Sequence, residues 1–142
     1  MWADTLLRAE QQHLLRLIVW AALSIVAATA LAAILAARRI QSPLLRHFAL
    51  QTTAWGLVVG AIAATSLRGA HLRDVAGAAR LERLVWMNVG LDAGYVGVGA
   101  SLALVAWLLA RRMSLVGAGV GIVVQGLALL VIELQFAAVV SR

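Results

Sequence analysis

Residues 17–37 form a run of 21 side chains without a charge, and that run constrains the fold more than any other feature. As a helix rising about 1.5 Å per residue it spans about 30 Å, the thickness of a bilayer's hydrocarbon core. Further apolar stretches at 44–67, 84–110 and 114–140 are long enough to do the same. In lipid every peptide group must find its partner inside the chain, so such stretches become helices unless they alternate as barrel strands do, and none alternates. The expectation is an all-α fold, a four-transmembrane-helix bundle built from two antiparallel helical hairpins. Because 63% of the residues are hydrophobic and only 13% are charged, the chain lacks the polar coat a soluble domain of this size would need. The four spans leave only short connectors, so residues 1–142 read as a single transmembrane domain.

Local signals set the boundaries. Residues 4–16 read as a polar helical lead-in that Asp4 could cap, and Ser42 followed by Pro43 is a helix-start signature. Gly69 is expected to stop the second helix, and residues 68–83 to form an interfacial connector. Ala30-Leu31-Ala32 resembles a signal-peptidase site, but the apolar stretch before it is too long for a signal peptide, so the segment is expected to be retained. Ala37-Arg38-Arg39 and Ala110-Arg111-Arg112 echo one another, each followed by a serine expected to open the next helix. Trp20, Trp86 and Trp107 fall near span ends, where amphipathic rings prefer to sit.

The net charge of +6 rests on arginine alone, since lysine is absent. The arginines cluster at the ends of apolar runs, where membrane lipids rather than nucleic acid are the expected partners. Seven lie on the side of the termini and the 68–83 connector and five on the side of the short turns; the count favours cytoplasmic termini, whereas the charge density of the short turns favours the reverse. There is no cysteine, which removes disulfides and thiolate chemistry.

In lipid, helices associate by close packing, so small residues at helical spacing mark contact faces. Gly56 and Gly60 lie on the second helix, Gly90, Gly94 and Gly97 on the third, and Gly117 and Gly121 on the fourth. Asn88, Asp92 and Tyr95 fall on the side of the third helix roughly opposite its glycines. Both sides are therefore expected to be covered by partners.

Asp92 and Glu133 are the only acids inside the spans, and intramembrane charges are costly enough to require a partner or a purpose. Counted from the same side of the bilayer, both lie roughly 10–12 Å deep. Arg16 and Arg68 approach from that side, so a candidate intramembrane polar cluster comprises Asn88, Asp92, Tyr95, Glu133, Arg16 and Arg68. It could be an interhelical hydrogen-bond network, a proton- or ion-handling site, or part of a ligand pocket. Gln51, Thr52 and Gln125 near mid-membrane read as helix-to-helix hydrogen bonds. The three histidines sit near the interfaces with no pairing suited to haem or a di-iron centre, so no metal site and no cofactor is expected. Hydrolase, nucleotide and zinc-protease motifs are missing, and no enzyme is expected.

The stretch Asn88-Val89-Gly90-Leu91-Asp92-Ala93-Gly94-Tyr95, followed by Gly117-Ala118-Gly119, Gln125-Gly126 and Glu133, resembles an uncharacterised family of small bacterial four-helix integral membrane proteins. The likeness covers roughly residues 84–138, and His47 and Trp55-Gly56 extend it. The final acid in that pattern is often aspartate, from which Glu133 departs. The resemblance implies a multi-pass protein of a bacterial inner membrane and a candidate polar site. The leading functional expectation is a non-enzymatic helix-packing subunit of a homo-oligomer or larger membrane complex. The alternatives are a small proton- or ion-coupled carrier using Asp92 and Glu133, and a lipid or quinone binder with a pocket beside Tyr95 or Trp55.

Overall fold

The computed structural model describes residues 2–141, so Arg142, counted above with the terminal-side arginines, lies outside the described residues. Four helices carry nearly the whole chain: α1 (Trp2–Ala37), α2 (Pro43–Gly69), α3 (Val75–Val105, prolonged by a π-helical turn at Ala106–Ala110) and α4 (Met113–Val140). Among the described residues there is no strand. Each of the four is long and apolar enough to cross a membrane.

Several boundaries differ from those expected. The polar residues 4–16 form no separate lead-in, because α1 runs unbroken through them for 36 residues, with Asp4 in its first turn rather than at its cap. At about 1.5 Å per residue the helix is about 54 Å long, well beyond a bilayer core. The interfacial connector shrinks to residues 70–74. Asp74 causes this: its side chain accepts from Gly77 N–H at 2.7 Å and starts α3 at Val75, ahead of a stretch rich in alanine, leucine and arginine that favours helix. Ser42 caps α2 as expected, accepting from Leu45 N–H at 3.3 Å. Ser114 does not play the matching part, since α4 already begins at Met113 with no side-chain cap. Each short turn instead bends through one arginine in left-handed conformation, Arg39 at φ 53° and Arg111 at φ 50°.

Helix α4 is the centre of the bundle. It packs against α3, α2 and α1, while α1 also packs along α2; the backbones of α2 and α3 do not approach one another. Glycines set the closest contacts. A Cβ added at Gly99 would lie 2.8 Å from the Gly119 carbonyl oxygen, and one at Gly119 would lie 2.7 Å from both Ala103 N and Gly99 O. Gly126 brings α4 against Val96 and the Asp92 carbonyl, Gly117 against the Leu44 backbone, and Gly121 against Gln51. On the α1–α2 seam, Gly56 and Gly60 admit Ala21, Ser24 and Ile25. Buried Gln125 ties α4 to α1, accepting from Trp20 Nε1–H at 2.8 Å and donating to Ser24 Oγ at 3.1 Å. Its links run to α1 rather than to Gln51 or Thr52.

The glycine side of α3 is not covered. Gly90, Gly94 and Gly97 have nothing within 4 Å of an added Cβ, so no helix of the same chain covers that side and the second partner expected for α3 would have to come from another chain. Among the described residues α4 is the one helix whose backbone packs along α3, so within the chain α3 buries mainly one side. The side carrying Asp92 wins, because turning a carboxylate towards lipid costs more than exposing glycines.

Candidate functional site

The helical period running through the start of α1 brings Glu10, His13, Leu14 and Leu17 onto one buried stripe. On α4 the stripe Gly126, Leu129, Glu133 and Phe136 is buried, and on α3 Leu81, Val85 and Asp92. The gap between α2 and α3 exposes parts of these stripes, forming a cavity of about 550 Å³, within the usual range for small-molecule sites. Its walls are apolar: Val58, Val59, Ile62 and Ala63 on α2 and Leu81, Leu84, Val85 and Leu91 on α3. Val58, Ile62, Leu84 and Leu91 are all exposed, so the mouth is a lateral cleft on the outside of the bundle. Trp55 and Tyr95 meet edge to face across the far end, with ring centroids 5.0 Å apart.

The interior of the cleft is polar. Glu133, only 5% exposed, sets Oε1 3.4 Å from His13 Nε2 and 3.5 Å from Asn88 Nδ2, both long for a firm hydrogen bond. The His13 ring lies flat on Phe136, centroids 4.3 Å apart and planes within 9°. Among the described residues, Glu133 Oε2 and His13 Nδ1 have no hydrogen-bond partner. Asp92, 6% exposed, lies within electrostatic reach of Glu133 and, among the described residues, makes no hydrogen bond or ion pair. At the connector end Arg73 grips Glu10 with both arms of its guanidinium, Nε to Oε2 at 3.0 Å and Nη2 to Oε1 at 2.7 Å. That bidentate contact, opposed by partial burial, holds the Arg73 guanidinium above its ordinary range, so it stays charged.

Of the six residues of the expected cluster, Asn88, Asp92, Tyr95 and Glu133 line the cleft together. Arg16 and Arg68 do not. Arg16 points outward and donates to Gln135 Oε1 at 3.1 Å, and Arg68 is exposed on the last turn of α2. Both long side chains can reach the polar edge of the bilayer, which lowers their energy more than entering an apolar gap. The arginine that does enter is Arg73, held by the short connector. Glu10 and His13 escape a reading of residues 4–16 as a polar helical lead-in; the i, i+3, i+4, i+7 spacing from Glu10 to Leu17 is the signal that the buried stripe continues through them. Among the described residues no three histidine or acidic side chains are grouped to hold a metal ion.

The profile of a family of unknown function (DUF6992) matches residues 16–134, most of the chain and all the cleft residues except Glu10, His13, Leu14 and Phe136. The chain belongs to that family. Asp92 and Glu133 thus fall within the family region, whereas the Glu10 and His13 side of the cleft precedes it. No curated protein matches the chain, and no solved structure does.

Proposed function

We propose that the protein binds a bilayer-dissolved amphiphile in the lateral cleft between α2 and α3. One observation carries this reading: two helix backbones that stay apart leave an apolar-walled gap of about 550 Å³ with buried polar groups inside. An acyl or isoprenoid body could lie along Val58, Ile62 and Leu91 while its polar end reaches Asn88, Asp92 and Glu133. The setting we infer is a bacterial inner membrane with both termini cytoplasmic, supported by the resemblance noted above and by the arginine count. The lining ends at Trp55 and Tyr95, which gives the cleft a closed end against which a bound molecule can rest.

The test uses native mass spectrometry on protein gently extracted from its own membrane. An amphiphile enriched over bulk lipid should accompany the chain, and the rim substitutions Val58→Trp and Leu91→Trp should release it. A lipid complement identical in parent and rim variant would defeat the reading.

The open side of α3 favours a second reading, that the protein is a packing subunit of a homo-oligomer or larger complex. Gly90, Gly94 and Gly97 allow another helix to approach closely. Gly94→Leu should convert an oligomer seen by light scattering in detergent to a monomer that keeps the parent's helix content by circular dichroism. A parent protein already monomeric, with no partner in the extract, would count against it.

A further inference from the structure

The charges inside the cleft do not balance. Three carboxylates line it, Glu10, Asp92 and Glu133, against one guanidinium and one imidazole. Arg73 is committed to Glu10 through both of its short contacts. Asp92 and Glu133 are left with His13 alone, which faces Glu133 at 3.4 Å. With all three acids ionised and His13 charged, the interior is one positive charge short, a charge that a proton or a bound cation can supply. The deficit is local: α2 contributes no ionisable group to the lining, and Arg16 and Arg68 lie outside it. Asp92 is 94% buried by its 6% residual exposure and unpartnered among the described residues, while Glu133 keeps Oε2 without a hydrogen bond.

A buried carboxylate without a counter-charge is costly, and the cost is removed by any cation that can reach it. The surroundings select the kind of cation. A hydrated metal ion would need several polar ligands, and among the described residues no group of three or more histidine or acidic side chains is assembled to supply them. Apolar walls suit a hydrophobic body, and the aromatic rings of Trp55 and Tyr95, at the same end of the cleft as Asp92, offer π surface of the kind that attracts organic cations.

We propose that the cleft takes a lipophilic organic cation, a protonated or quaternary ammonium-type group on an apolar body, with Asp92 and Glu133 supplying the counter-charge. This rests on the reading of the cleft as an amphiphile site and adds the charge of its ligand.

Binding to the full chain in phosphatidylcholine nanodiscs tests it with three probes of similar shape: tetraphenylphosphonium, tetraphenylborate and neutral triphenylphosphine oxide. Tetraphenylphosphonium should bind saturably and tetraphenylborate should not. Asp92→Asn and Glu133→Gln should each weaken tetraphenylphosphonium by about tenfold or more, as loss of a charge contact at low dielectric implies. Asp92→Glu should retain binding, which separates lost charge from a damaged fold. Equal binding of the neutral and cationic probes, both abolished by Val58→Trp with Leu91→Trp, would overturn the cation proposal and leave the amphiphile reading standing. Failure of all three probes to bind would overturn both.

Discussion

Replacing Gly119 by valine should destabilise the protein by about 3 kcal/mol or more, at the upper end of what overpacking a tight contact costs. The reason is what a side chain would meet. Ala103 N and Gly99 O already lie 2.7 Å from the position of an added Cβ, and both are backbone atoms of α3, which cannot swing aside as a side-chain tip can. The α3–α4 seam would have to open, and the Asp92 carbonyl that rests on Gly126 would move with it. The same substitution at Gly90, where nothing lies within 4 Å, should leave stability within about 0.5 kcal/mol. Thermal unfolding of both variants in one detergent checks the contrast, and equal melting temperatures would mean that α3 and α4 are not locked at this point.

The second large effect is expected at the connector. Arg73→Met removes the one guanidinium that lines the cleft among the described residues and leaves Glu10, whose side chain is 8% exposed, without its partner. Breaking a buried pair from one side costs about 3–5 kcal/mol, and because the Arg73 side chain is itself 23% exposed the lower end, about 3 kcal/mol, is expected here. The double variant Glu10→Met with Arg73→Met should recover most of the loss, because two apolar side chains in place of a buried ion pair leave no charge stranded. Chemical unfolding of the four species of this double-mutant cycle gives the coupling directly. A single variant as stable as the parent would show that water reaches Glu10 freely and that the connector does not close that end of the cleft.

These expectations depend on which parts of the molecule can be read along the chain. The span at 17–37, the Ser42-Pro43 start of α2 and its stop at Gly69 are local matters of charge-free length and capping, and the folded chain follows them. That the two acids meet was also legible: Asp92 and Glu133 line one cleft, because residue count places both on the same half of adjacent helices. The extent of the connector was not. Arg80, Glu82 and Arg83 look interfacial by composition, yet Asp74 caps a helix that carries them as its first turns. Composition reports what surrounds a segment rather than its backbone conformation.

The sequence by itself determined that four helices form, where most of them end, and that two acids must sit inside them, because these follow from hydrophobic length, capping and the cost of exposing peptide groups to lipid. Only tertiary structure decided which side of α3 is buried, that Gly99, Gly119 and Gly126 rather than Gly90, Gly94 and Gly97 make its close contacts, and that Arg73 rather than Arg16 or Arg68 enters the cleft. Rotation of one helix about its axis and the separation of α2 from α3 are settled by the contacts of the whole bundle at once, and no single stretch of residues carries that information.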